Sequence, residues 1–115
     1  MAEHARILGQ LNPQAATEDL LYQVPVGKET VVTTGKVCNR SSTATSFRIR
    51  VKQAGESDDD EQFIYYDLPI EGNDTFSFTE GITLSEGDSV EVYATDATLS
   101  FSLFGFERDV ASTSS

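Results

Sequence analysis

Tryptophan is absent from this chain of 115 residues, and cysteine, histidine and methionine occur once each. A lone Cys38 excludes an intrachain disulfide and any multi-cysteine zinc site. A nucleophilic thiol needs a base, and the single histidine, His4, lies in a terminus expected to be flexible. Cys38 sits in the alternating run TTGKVCNR and is read as a half-buried strand residue without chemistry. Cations are also scarce: 8 Lys and Arg stand against 19 Asp and Glu, a formal net charge of −11. That balance repels phosphate backbones and anionic headgroups, so neither nucleic acid nor a membrane surface is an expected partner. No apolar run approaches the roughly 20 residues that cross a bilayer. The start, MAEHARILGQ, lacks the apolar core of a signal peptide, and the expectation is a soluble chain. A convincing helical period is missing as well.

What the chain has in quantity is period-two alternation between turn clusters, the pattern of half-buried strands. Strands are expected in LLYQVP, in Glu29–Arg40, in SFRIRVK, in QFIYYDLPI up to a halt at Pro69, and in TFSFT. GITLSEGDSVEVYA reads as a short strand, a turn at Glu86-Gly87-Asp88 and another strand. In the Glu29–Arg40 run, Val31, Thr33 and Gly35 are expected to share a side with Val37, unless Gly35 marks a bulge. Phe47, Ile49 and Val51 fall on one face of their strand and Arg48, Arg50 and Lys52 on the other, because side chains alternate across a strand. Val90, Val92 and Ala94 oppose Glu91 and Tyr93; Leu99, Phe101 and Leu103 oppose Ser100 and Ser102. Around Gly105, between Phe104 and Phe106, the apolar side switches, which predicts a bulge or a second buried surface. About eight short strands define an all-β domain, a single antiparallel β-sandwich of jelly-roll type with an N-terminal arm. The expected organisation is an arm or first edge strand over 1–19, the sandwich over 20–109 and a mobile tail over 110–115.

Most candidate chemistry reduces to turns and solvated charge. The run Asp58-Asp59-Asp60-Glu61 offers oxygen ligands, but consecutive carboxylates diverge and lack the spacing of a calcium loop. Carboxylate pairs for glycoside hydrolysis are available in any acidic β-protein and have no aromatic cleft beside them. The Gly-Asp-Ser in EGDSV lies in a strand-to-strand turn, whereas a nucleophile elbow needs a strand-to-helix turn and a histidine. The sequons at Asn39 and Asn73 read as turn chemistry. No catalytic, cofactor or metal residue is therefore assigned, and the chain is expected not to be an enzyme. The stripe Arg48, Arg50, Lys52 is either a solvated face paired with Glu91 or the 58–61 carboxylates, or a contact for a neighbouring protein. Tyr65 and Tyr66 are the one attraction of a carbohydrate-binding reading.

The segments Ile7–Val32, Val37–Val51, Ile64–Ala94 and Ala97–Glu107 together resemble a family of small virion structural proteins of tailed bacteriophages. The resemblance covers nearly the whole chain apart from its ends and contains no catalytic motif. It implies a β-sandwich assembled on the particle, with a capsid decoration, or cement, role as the best fit. The implied partner is the major capsid protein of the same virion, or tail or collar proteins, with assembly in the host cytoplasm and a homotrimeric grouping. The alternatives are a tail, collar or fibre-associated protein and a host-attachment module that binds carbohydrate. Candidate protein contacts are Ile7, Leu8 and Leu11 as an arm that orders on a neighbour, the stripe Arg48, Arg50 and Lys52, and Phe104 and Phe106 if they face away from the core.

Overall fold

A computed structural model describes residues 3–110 of the chain, and the side chains of residues 5–110. Among them are nine β-strands and one short 3-10 turn. One sheet, sheet A, has the order β1 (Glu3–Leu11), β9 (Leu99–Asp109), β3 (Lys28–Asn39) and β6 (Thr75–Phe78), and β7 (Ile82–Leu84) continues the β6 edge beside β3. The other, sheet B, runs β2 (Thr17–Gln23), β8 (Ser89–Ala94), β4 (Thr45–Lys52) and β5 (Phe63–Ile70). Every named pair is antiparallel. This order, with the chain passing repeatedly from one sheet to the other, is that of a jelly-roll sandwich. The expected all-β, antiparallel sandwich of jelly-roll type is the fold found.

The core is the set of inward positions that alternation marks. Phe47, Val37, Val90, Val92, Ala94 and Leu99 are fully buried, and Ile49, Phe101 and Leu103 nearly so. Phe47 links the two sheets through ring contacts with Phe101 of sheet A at 6.0 Å and Phe76 at 5.6 Å. Tyr65 turns inward to join them, 5.2 Å from Phe76 and 5.5 Å from Phe78.

Three expectations about phase need correction. In β3 the inward residues are Val32, Gly35 and Val37, while Val31 faces outward, because the register shifts at Thr33 and not at Gly35. Gly35 is instead a seat: a Cβ there would lie 2.1 Å from the Phe78 ring, so only glycine lets that ring close over the strand. In β9 there is no switch. Leu103, Gly105 and Glu107 continue the buried series, and the irregularities lie in its neighbours, between Ile7 and Gly9 in β1 and between Val32 and Thr34 in β3. Pro69, expected to halt a strand, pairs with Ser46 inside β5. An edge strand tolerates it, since the missing N–H faces no partner on the outer side.

Glu3–Leu11 pairs with β9 along its length, so the arm-or-edge segment contributes an edge strand here, and the expected boundary at residue 20 falls within β2. The expected tail lies outside the described residues except for Val110, whose N–H donates to the Gly27 carbonyl at 2.9 Å. Asn39 closes the end of the sandwich. Its amide donates to the carbonyls of Thr43 and Glu71, and its oxygen accepts from the Ser41 N–H and the Thr98 hydroxyl. A buried amide with all four bonds made is structural, in line with the turn reading of that sequon.

Candidate functional site

The outer face of sheet B carries the cation stripe, and each member is already engaged. Arg48 Nε donates to Asp67 Oδ1 at 2.6 Å, and its guanidinium lies over the rings of Tyr66 at 4.2 Å and Tyr93 at 4.4 Å. Irregular register in β5 makes this possible: Tyr66 and Asp67, the latter at φ 50°, both stand opposite Arg48. Arg50 is 7% exposed, not solvated. It stacks on Phe63 at 4.3 Å and pairs with Glu18 at 3.2 Å and Asp58 at 2.9 Å. The contact of its Nε with Glu18 is an ion pair without hydrogen-bond geometry. Lys52 reaches Asp58 at 2.8 Å and Glu91 at 3.5 Å.

Glu18, Asp58 and Glu91 thus converge, with ligand atoms within 4.8 Å of one another. The cluster already holds two protein cations. Burial raises the Glu18 carboxyl, with Arg50 opposing the shift. The hydrogen bond from Lys52 lowers that of Asp58. The rest of the acidic run does not join them: Asp59 caps the 3-10 turn Asp60–Gln62 through a capping box, and Asp60 and Glu61 are exposed. The arrangement is a charge-neutralising lattice between strands and loop.

A second polar cluster, absent from the sequence reading, lies inside the sandwich. Glu107 is 5% exposed and accepts the Tyr22 hydroxyl proton at 2.5 Å on Oε2. Its Oε1 accepts from Arg6 at 3.0 Å. The Thr30 hydroxyl is 2.7 Å from the Tyr22 oxygen. Since the phenol has one proton and Glu107 takes it, Thr30 donates to Tyr22. The network ties β2 of one sheet to β1, β3 and β9 of the other. Extending the alternation of β9 two residues past Gly105 would have found it.

Burial, followed by the bond to Glu107, pushes the Tyr22 hydroxyl up to about 12. The neutral phenol is therefore favoured in the folded state relative to the unfolded one. Its contribution is complete below pH 10 and is lost as pH rises toward 12. Denaturation curves across that interval should show a loss on the order of 2 kcal/mol beyond that of Tyr22→Phe. Tyr65, also raised by burial and its bond to Glu80, is common to both proteins and cancels. Parallel pH profiles for the two would refute the assignment.

The outer face of sheet A differs from that of sheet B. Ile7 is 53%, Phe106 41% and Val31 40% exposed, with half-buried Phe104 and Thr33 between them. Phe106 stands between two shallow depressions, one lined by Val31, Thr83, Glu29 and Arg108, the other by Ala5, Ile7, Thr33 and Phe104. Phe104 and Phe106 do face away from the core. Leu8 and Leu11 pack partly against it, so within β1 Ile7 is the outward apolar residue.

Charge is partitioned between strands and connections. Sheet A strands carry Arg6, Lys28, Lys36 and Arg108 against Glu3, Glu29, Glu107 and Asp109. Sheet B strands carry Arg48, Arg50 and Lys52 against Glu18, Asp19, Asp67 and Glu91. Ten of the eleven net negative charges therefore sit in the connecting segments.

Cys38 is half-buried on β3, as expected. Gly87-Asp88 forms a strand-to-strand turn, with the Asp88 carboxylate accepting from the N–H groups of Ser85 and Ala54. Among the described residues, no helix is long and apolar enough to cross a membrane. Comparison with family models and with curated proteins finds no match. The class the geometry defines is a jelly-roll sandwich in which sheet B presents an ion-paired stripe beside exposed Leu20 and Tyr66, and sheet A an electrically balanced outer face with exposed Ile7, Val31 and Phe106.

Proposed function

We propose that this chain is a non-enzymatic structural protein of a bacteriophage virion, a decoration protein that binds the outside of the capsid shell and stabilises it. The observation that carries the reading is the partition of surface character. An apolar patch lies on a sheet whose strands have no net charge, while the anionic character is carried by the connections. A protein repeated over a particle by symmetry needs an apolar patch through which its copies group and a hydrated remainder. The resemblance of Ile7–Val32, Val37–Val51, Ile64–Ala94 and Ala97–Glu107 to small phage structural proteins points the same way. Ligand-linked stabilisation supplies the mechanism: binding only to the assembled shell shifts its equilibrium away from the disrupted state, and grouping copies multiplies weak contacts through avidity.

The carbohydrate-binding alternative gains little from the aromatics, because Tyr65 packs inward and one face of Tyr66 is covered by Arg48. The test is re-addition. Particles grown without this protein, mixed with the purified chain and imaged by electron cryomicroscopy, should acquire density at symmetry-related sites on the shell. They should also resist heat to a higher temperature than untreated particles. Density confined to the tail or collar, or none, would overturn the capsid assignment.

A further inference from the structure

We infer that the outer face of sheet A is the surface through which copies of this chain associate with one another. The patch is complementary to itself in shape. The Phe106 ring projects from β9 with a hollow on either side of it, so the surface presents a knob and a socket within one strand spacing or so of each other. A second copy brings the matching pair: its ring enters a hollow here, and Phe106 enters a hollow there. Closing that contact removes Phe106, Ile7 and Val31 from water, the large apolar side chains this face leaves exposed.

Charge selects the same occupant. An anionic chain meets a penalty when another copy approaches its acidic connections, and the strands of sheet A, with equal numbers of cations and carboxylates, avoid it. The rim holds both signs side by side, Arg108 paired with Glu29 and Lys28 with Asp109 at 2.5 Å. A partner of single-sign charge gains nothing from such a rim, whereas a symmetry-related copy can set cation against carboxylate. The inference stands on the geometry of sheet A. Self-association without particle binding would sink the virion reading and leave this one intact.

The experiment is sedimentation velocity and light scattering on the full chain over a concentration series. The parent protein should form a discrete dimer. Phe106→Thr and Val31→Thr should each weaken association by roughly tenfold or more, since each removes an apolar side chain from the contact. Threonine keeps the strand preference, and unchanged circular dichroism melts certify the fold. Tyr66→Ser, on the opposite sheet, should leave the mass unchanged. A parent that stays monomeric throughout the series would overturn the inference. So would an oligomer that Phe106→Thr and Val31→Thr leave intact, or one that Tyr66→Ser disrupts. A monomeric parent whose particle binding is abolished by Phe106→Thr would also overturn it, reassigning the face to the shell.

Discussion

Phe47→Ala should lower the stability of the folded chain by about 3–5 kcal/mol and its melting temperature by roughly 15 °C. The ring is fully buried and meets Phe76, Phe101 and Tyr65 at centroid distances of 5.6, 6.0 and 6.4 Å, so it joins both sheets and the edge strands. Truncation removes the transfer free energy of the ring and leaves a cavity whose walls are held by β-ladders and cannot collapse freely. Chemical denaturation of the variant checks the figure. A loss under about 1 kcal/mol, within the range of ordinary surface substitutions and small repacking, would show that the sheets are held together elsewhere.

Arg50→Ala should cost about 3 kcal/mol near neutral pH, the lower end of the range for breaking a buried pair by removing one partner. Asp58 can turn to water, but Glu18 cannot do so fully, and three carboxylates would then face one another with Lys52 alone between them. The pH dependence has a definite sign. Burial already raises the Glu18 carboxyl, and Arg50 opposes it more strongly than Lys52 does. Without the guanidinium, the folded-state value rises further above the unfolded one. The variant's deficit is therefore largest where Glu18 is ionised and shrinks as pH falls through its titration. Paired denaturation series for parent and variant, from neutral pH downward, measure that convergence. A deficit independent of pH would assign the loss to the Phe63 stack instead. Lys52→Ala should have a smaller effect, since its closer partner Asp58 is solvated and Glu91 lies farther off at 3.5 Å.

These two residues also mark how far the chain's pattern could be read. Phe47 and Ile49 are legible as core because alternation is a property of a single strand, and β4 keeps its phase. Arg50 is assigned by the same alternation to the face away from the core, and that is where it lies. Its burial comes from Glu18, Asp58, Gln62 and Phe63, which arrive from β2, the acidic connection, the 3-10 turn and β5. No local pattern encodes which strands meet. The same limit explains Val31, placed inward by a period that the register shift at Thr33 interrupts. It also explains Glu107, an inward carboxylate whose partners Tyr22 and Arg6 belong to two other strands, with Thr30 of a third joined through Tyr22.

By itself, the sequence determined the all-β class, most strand positions, the inward series of β4, of β8 and of β9 as far as Leu103, and the exclusion of an intrachain disulfide and of a multi-cysteine metal site. Each follows from residue type and period, which act over a few neighbouring residues. The tertiary structure alone decided the strand order, the neutralisation of the cation stripe by carboxylates from four separate segments, and the exposure of Phe106 between its two hollows. Those depend on register and on contacts between distant residues, where a one-residue shift in a neighbouring strand moves a side chain from one face to the other.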